Sequence, residues 1–435
     1  MSISSNRPLR GRRVAVTGLG AVSPNGIGVP AFWSAARAGR SGVSSIRGFD
    51  VSDLPIRIAG QVSDFAAESV LPPREAKHLP RATALAVAAS VEALGDARID
   101  ASTLDLAERR EFAVVLGSGG VGWEFTERQF REYYFGNPKA VSLYTIPSST
   151  PGSMSSEISM HFGLRGPSHV ISTGCTSSSD ALGHAFSLIR YGRARRALAG
   201  GADAPLSPGI LRGFCLMKIL TPSWNEEPER GSRPFSRDRD GFVLSEGSWM
   251  LVLEELEAAR ERGAPILGEL AGYGATCEAF HRVRLSEDGE EPARAMRLAL
   301  EDAGLGPESI DYVNLHGTST ELNDRVETRA FKQVFGRRTG SVPGSSLKSM
   351  IGHPQGACGA AGSVASLLAM RDGFLPPTIN RDEADPECDL DVVPHVGRAH
   401  DIGALLCNCI GFGSKNTALV FIKVDPDGRR AVGAS

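Results

Sequence analysis

The sequence predicts a duplicated α/β fold, two similar halves packed about a pseudo-twofold axis. Three observations lead there. The chain has 435 residues, more than one hydrophobic core usually organises. Short apolar, β-branched runs alternate with Ala/Leu-rich helical segments along its length. The order of those segments, begun near residue 14, starts again near residue 265.

In the first half, Arg13-Val-Ala-Val-Thr-Gly-Leu-Gly20 is a strand ending in glycines. It is not the opening of a dinucleotide site, because Ala21 to Gly26 does not complete GxGxxG and Pro24 stands where the phosphate-binding helix should begin. Residues 31–38 read as helix, 46–80 as irregular, Ala82 to Leu94 as an Ala-rich helix, and Glu111 to Leu116 as a strand. A Tyr/Phe-rich segment and a loop around Pro147 and Pro151 lead to His169-Val-Ile-Ser-Thr-Gly-Cys175, which turns into a helix from Ala181 to Ile189. The apolar runs Ala197 to Gly201 and Ser248 to Leu253 close this half.

The second half repeats the order. Ile266 to Ala275 matches Val14 to Ala21, and the helix ending Leu300-Glu-Asp-Ala303 matches the one ending Leu94-Gly-Asp-Ala97. Asp311 to Gly317 matches Phe112 to Ser118, and Val342 to Lys348 followed by the Gly/Ala-rich helix 356–370 fills the slot of the Cys175 unit. Thr417 to Ile422 matches Ser248 to Leu253. Five matched pairs in one order exceed chance, and they set the halves at 12–255 and 256–424.

Composition narrows the function. Lys+Arg 47 against Asp+Glu 50 leaves a net charge of -3, against a nucleic-acid binder that works by phosphate neutralisation. The seven cysteines form no CxxC pair and no zinc-like spacing, so no metal is expected, and the odd count suits a reducing compartment. Cys407-Asn-Cys409 reads as core or turn packing. With a polar N-terminus and no run near the ~20 apolar residues of a membrane span, the expected location is cytoplasmic.

Cys175 sits where a strand becomes a helix. Unpaired N–H groups and the positive dipole end favour an anion there, and a thiol so placed is expected to ionise well below its free pKa of ~8.5. His316, directly after a strand in Leu315-His-Gly-Thr-Ser-Thr320, and His353, directly before a helix in Gly352-His-Pro354, both lie in turns of small residues that a substrate can approach. The other seven of the nine histidines read as structural. Sites in open α/β units gather at the carboxyl ends of strands, so the repeat predicts that the Cys175, His316 and Lys348–His353 turns converge. A thiol with two imidazoles supplies a nucleophile and two hydrogen-bond donors for an acyl thioester; the same parts also suit a Cys-His hydrolase. Lys348 raises the local positive potential and Glu327 is available to neutralise it.

Five dispersed segments resemble the β-ketoacyl-(acyl carrier protein) synthase family, of the thiolase fold. They are Thr173-Gly-Cys-Thr-Ser-Ser178, Asn314-Leu-His-Gly-Thr-Ser-Thr-Glu-Leu-Asn-Asp324, Ser346-Leu-Lys-Ser-Met-Ile-Gly-His-Pro354, Arg237 to Gly247, and Gly411-Phe-Gly413. The resemblance runs from about residue 12 to 424 and implies a layered α-β-α-β-α arrangement. It implies that Cys175 takes an acyl chain from carrier-protein phosphopantetheine, that His316 and His353 assist decarboxylation of a malonyl unit, and that the enolate attacks by Claisen condensation. It implies an oxyanion hole from the N–H groups of Cys175 and Phe412, the Phe412 side chain as a gate, and Lys348 with Glu327 as a supporting ion pair. No cofactor is implied beyond the phosphopantetheine that carries the substrates.

Within the family, Ser172 to Asp180, Asn323 to Lys332 and Asp385 to Asp391 look like the ketosynthase α subunit of type II polyketide synthases. The retained Cys175 separates the chain from the β subunit, or chain-length factor, where glutamine is common, and Cys175, His316 and His353 together argue against a non-catalytic partner subunit. A fatty-acid elongation synthase is the alternative. The implied partners are an acyl carrier protein and a β subunit in a heterodimer, or otherwise a second copy in a homodimer. By resemblance Lys218 matches a basic docking position for the acidic carrier, with Arg74, Lys77 and Lys139 as further candidates. Two stretches depart from the family: Ser414-Lys-Asn416 stands where Gly-Thr-Asn is usual, and the lining around Thr276 to His281 is the chain's own.

Overall fold

The computed structural model describes residues 11–413, 415–425 and 427–431. Its first half contributes strands β1 (Val14–Ser23), β2 (Phe112–Gly117), β3 (Ser168–Ile171), β4 (Arg196–Asp203) and β5 (Gly247–Glu255). The second contributes β6 (Gly268–Cys277), β7 (Tyr312–Asn314), β8 (Gly344–Ser345), β9 (Ala404–Gly411) and β10 (Lys415–Ile422). The strands lie in the order β3-β2-β4-β5-β1 in one half and β8-β7-β9-β10-β6 in the other. The senses agree as well: β2 runs parallel to β3 and β4, and β5 antiparallel to β4 and β1, as β7 does to β8 and β9, and β10 to β9 and β6. The sheets join where Val14–Val16 of β1 pairs antiparallel with Gly268–Leu270 of β6. The five segment pairs seen in the sequence are therefore structural equivalents, and β4 with β9 is a sixth that the sequence had not paired.

Three apolar clusters separate five layers. On one outer face Leu85 and Ala89 of helix α1 (Arg81–Asp96) pack on Leu116, Leu198, Met250 and Val252. In the middle, α3 (Ser177–Arg190) and α6 (Cys358–Asp372) lie between Val115, Leu251 and Leu253 of one sheet and Leu405, Leu419 and Phe421 of the other. On the second outer face, Met296 of α4 (Glu290–Ala303) and Phe331 of α5 (Glu321–Phe335) cover Val313, Leu406 and Val420. Successive side chains of a strand point to opposite faces, so Met250/Val252 and Leu251/Leu253 enter different layers and the whole run is apolar. Every residue of α6 from Cys358 to Met370 is buried, and its Gly/Ala content keeps it thin enough to sit between two sheets. Helix α2 (Trp123–Phe135), within the Tyr/Phe-rich segment, takes the place in its half that α5 takes in the other.

The Gly-x-Gly at the start of each half has a packing role. A Cβ on Gly18 would lie 2.2 Å from the carbonyl oxygen of Ala93 and 2.6 Å from Ala97 N; on Gly272 it would lie 2.2 Å from Ala299 O and 2.7 Å from Ala303 N. The backbones of α1 and α4 thus rest directly on β1 and β6. Each helix then sends a carboxylate back to the strand: Leu19 N donates to Asp96 at 2.9 Å and Tyr273 N to Asp302 at 3.1 Å. This contact explains why both helices end in Asp-Ala. Gly18→Ala or Gly272→Ala should each cost about 1–3 kcal/mol or more through overpacking. Gly95→Ala, where a Cβ meets nothing within 4 Å, should be neutral or stabilising by up to about 1 kcal/mol. Urea denaturation of the three variants checks this; equal stabilities would refute the close-packing argument.

Candidate functional site

The turn between β3 and α3 is tied by its own hydroxyls. Gly174 is left-handed (φ 71°). Thr173 N donates to Ser177 Oγ at 2.9 Å, Ser177 Oγ to Gly174 O at 2.6 Å, and Thr176 Oγ1 to Thr173 O at 3.0 Å. The Thr173 hydroxyl also donates to Asp180, which accepts from Tyr273 Oη at 2.5 Å. These bonds fix Cys175, whose sulfur lies where the backbone N–H groups of Phe412 and of Cys175 itself favour its ionised form. Burial opposes the expected ionisation. Burial, with the neighbouring Cys358, pushes the Cys175 thiol up to about 12, outweighing both N–H groups and Lys348.

The two histidines arrive from the second half, as the repeat predicted. Ligand atoms of Cys175, His316 and His353 all lie within 4.8 Å of one another, all three residues are buried, and the imidazole centroids are 5.5 Å apart at 87°. Glu327 on α5 holds the His316 turn, accepting from His316 N at 2.6 Å, Gly317 N at 2.7 Å and Asn408 Nδ2 at 2.6 Å. Burial raises its carboxyl to about 7 despite these donors. The implied Lys348–Glu327 ion pair is corrected: Lys348 Nζ instead donates to His316 O at 2.6 Å and reaches His316 Nδ1 at 3.3 Å. Glu327 is already saturated by the amides and leaves Lys348 to the histidine.

Hydrogen bonds assign the tautomers. Gln355 N donates to His353 Nδ1 at 3.0 Å, and the Lys348 ammonium faces His316 Nδ1, so each ring carries its proton on Nε2. Burial and the Lys348 charge push both imidazoles well below their ordinary pKa, with each ring's neighbour His353 adding to the effect at His316. Both are therefore neutral N–H donors at neutral pH. The segment Arg237 to Gly247 joins the two turns. Arg239 pairs with the buried Asp324 at 3.4 Å, Asp324 accepts from Thr318 N at 3.0 Å, and His353 N donates to Val243 O at 2.7 Å.

A cavity of about 160 Å³ reaches Cys175, His316 and His353 past Phe242, Thr318, Thr320 and Phe412. Its outer wall is Val283, Arg284 and Leu285; Thr276 to His281 is not among its lining residues. Lys218 is exposed beside Ile219 of this cavity, at the end of helix Pro208–Leu216. Arg74 and Lys77 line a separate groove, and Lys139 stands on the exposed turn Pro138–Ala140, lining neither. Ser414 lies outside the described residues; Lys415 pairs with Cys277 in the sheet. Sequence reasoning missed Asp324, whose role shows only once Arg239 is folded onto it, and missed Cys358 and Cys409, which touch the backbone of Cys175. The alternation of Cys407 and Cys409 along one strand face was the available signal.

Residues 11–259 match the β-ketoacyl synthase N-terminal domain and residues 267–382 its C-terminal domain. The chain belongs to the β-ketoacyl synthase family. It is a condensing enzyme of acyltransferase type, and it resembles members from two kinds of pathway. It is 41% identical to 3-oxoacyl-[acyl-carrier-protein] synthase 2 of Synechocystis sp., over 95% of this chain and 99% of that one. It is 40% identical to the tetracenomycin polyketide synthase ketoacyl synthase alpha subunit of Streptomyces glaucescens, over 95% and 97%. Among solved structures, the ishigamide ketosynthase/chain length factor superposes with a TM-score of 0.87 at 34% identity, over 95% of this chain and 100% of that one.

In this β-ketoacyl synthase the thiol is protonated at rest, so alkylation of Cys175 by iodoacetamide should quicken roughly tenfold per pH unit between about pH 7 and 9. Peptide mapping of the labelled protein measures it. A plateau below about pH 8 would show that the helix start, not burial, governs the sulfur.

Proposed function

We propose that the enzyme is the α-type ketosynthase of a type II polyketide system, joining an acyl group on Cys175 to a malonyl unit held by an acyl carrier protein. The observation that carries the chemistry is the pair of neutral Nε2–H donors, His316 and His353, grouped with the Cys175 sulfur so that their ligand atoms lie within 4.8 Å of one another. Loading is an exchange of thioesters: Cys175 sulfur bonds to the acyl carbon, the phosphopantetheine sulfur leaves, and the Cys175 proton goes with it. The exchange is proton-neutral and so tolerates a thiol raised to about 12. The two imidazoles then donate to the malonyl thioester oxygen as carbon dioxide departs, stabilising the enolate. Its carbon attacks the acyl-cysteine, the oxyanion takes the N–H groups of Cys175 and Phe412, and as the tetrahedral intermediate collapses the C–S bond breaks, Cys175 leaves as thiolate and takes a proton from solvent. The reading requires no cofactor beyond the carrier's phosphopantetheine and no metal.

Sequence identity does not separate polyketide from fatty-acid synthesis, at 40% and 41%. Support for a partner chain, whether a β subunit or a second copy, comes from the surface. Strand β3 is an edge strand with β2 as its one neighbour, and Phe130, Tyr133, Tyr134, Phe135, Leu143 and Ile146 are exposed. An apolar face with an open strand edge is what a partner covers. A cavity of about 830 Å³ opens on that face, lined by Trp123, Phe130, Tyr134 and by Ser172 of the cysteine turn, so a partner would complete a wall near the acyl site. Among relatives, the ishigamide ketosynthase is titled together with a chain length factor. Lys218, at the mouth beside Ile219, is the proposed docking residue for the acidic carrier.

Replacing His316 or His353 with alanine should lower malonyl decarboxylation and condensation by about 10²-fold or more and affect acyl loading less. Radiolabelled acyl transfer and carbon dioxide release separate the steps; equal losses in both would contradict the division. Co-expression with the β subunit should give a 1:1 heterodimer burying more than about 1,200–2,000 Å², with elongation dependent on the partner. A homodimer that elongates fully reduced chains alone at full rate would favour the fatty-acid reading.

A further inference from the structure

Behind Cys175 lie two more buried thiols. Cys358, at the start of α6, and Cys409, on β9, have their sulfurs 3.5 Å apart, and each donates to the carbonyl oxygen of Cys175 at 3.1 Å. We propose that Cys358 and Cys409 are an oxidisable dithiol: a peroxide converts Cys358 to a sulfenic acid, and Cys409 closes a Cys358–Cys409 disulfide that disables the site.

The two sulfurs differ in the way the chemistry needs. The cavity is lined by Cys175, with the pair behind it; of the two, Cys358 is 5% exposed and Cys409 0%, so Cys358 is the sulfur of the pair that a small oxidant passing Cys175 meets first. Burial works to raise the Cys358 thiol, but the S–H of Cys409 and the Lys348 ammonium outweigh it and hold Cys358 below its ordinary value. Cys409 is raised by burial and by Cys358, and stays a thiol. An attacked thiolate beside a resolving thiol is the usual form of a redox-sensitive pair.

A soft cation is the competing occupant, since His316, Cys358 and Cys409 present ligand atoms within 4.8 Å of one another. Lys348 argues against it. Its ammonium stands 3.3 Å from His316 Nδ1 and already supplies the positive charge that two sulfurs and a ring nitrogen would offer a metal.

The steps balance. With hydrogen peroxide, the Cys358 sulfur takes one oxygen and one water is released. The Cys409 sulfur then attacks the sulfenic sulfur, the S–O bond breaks, and the hydroxyl leaves as a second water with the Cys409 proton. A dithiol reductant returns two electrons and two protons. Oxidation removes both S–H donors from the Cys175 carbonyl and so displaces the turn that holds Cys175.

The mass readout uses purified protein without substrate, so it stands apart from the reading of the condensation; the activity readout that follows rests on that reading. Limiting hydrogen peroxide should remove two hydrogens from the intact mass of both the wild type and Cys175→Ser, with a cross-linked peptide joining 358 to 409. Wild-type condensation should fall about tenfold or more, as small displacements of reacting groups do, and return with dithiothreitol. Cys409→Ser, which keeps an O–H donor to Cys175 O, should instead gain one oxygen at Cys358 as a sulfenic acid that dithiothreitol reverses, with no cross-link; Cys358→Ala should show neither change. An unchanged mass at doses that oxidise Cys175, or a cross-link that includes Cys175, would overturn the proposal.

Discussion

A lysine ammonium enclosed between two sheets must be matched by whatever the surrounding strands and helices bring to it. Lys348 is that group, and much of the site is arranged around it. Its ammonium donates to the His316 carbonyl and faces the His316 ring, the thiols of Cys358, Cys409 and Cys175 are its electrostatic partners, and Glu327 contributes through the field. Burial alone would lower its pKa, yet those partners raise it, so the charge persists in the interior. Burial first, and then this positive charge, push both imidazoles well below their ordinary pKa, and the ammonium beside His316 Nδ1 leaves the proton of that ring on Nε2.

The duplication explains how such a grouping assembles. In each half the parallel strands β2 and β3, or β7 and β8, end on the same edge, and the turns that follow them face the partner half across α3 and α6. The first half supplies a turn made of hydroxyls around a sulfur. The second supplies turns that carry imidazoles, clamped by carboxylates on α5. Neither half holds the site alone, because one of the amide N–H groups that favour the ionised sulfur is that of Phe412, after β9, and the carbonyl of Cys175 is held by thiols of α6 and β9.

What the sequence made legible follows from the range of the interactions. Strand and helix order, the five matched pairs and the convergence of three turns rest on local periodicity and on a repeat, both written within short windows. The unseen parts depend on contacts between distant segments. Arg239 meets Asp324 and Asp385 only when a loop crosses the His316 turn, and the Cys407-Asn-Cys409 segment becomes a central strand only beside β7 and β10. The exchange of Glu327's expected partner has the same origin: two backbone amides and Asn408 reach its carboxylate before Lys348 can. The helix after the His316 motif was hidden because its residues 321–335 were read as a motif rather than for the apolar spacing of Leu322, Val326 and Ala330.

The nucleophile shows why position along the chain was not enough. A helix N-terminus favours an anion by about 0.3–1 kcal/mol, and up to about 2 in partly buried geometry, which is at most about one and a half pKa units. Full burial moves an ionisable group by up to about 3–5 units in the opposite direction. At Cys175 the larger effect wins, and the thiol rests protonated. An enzyme that needed a free thiolate would be poorly served. The proposed exchange between two thioesters is not, because the proton would leave with the departing sulfur and the proposed amide N–H groups would act on the carbonyl oxygen as its charge develops. The same burial that holds the sulfur protonated keeps water from the acyl-cysteine, so the protection of the intermediate and the raised thiol are two results of one constraint.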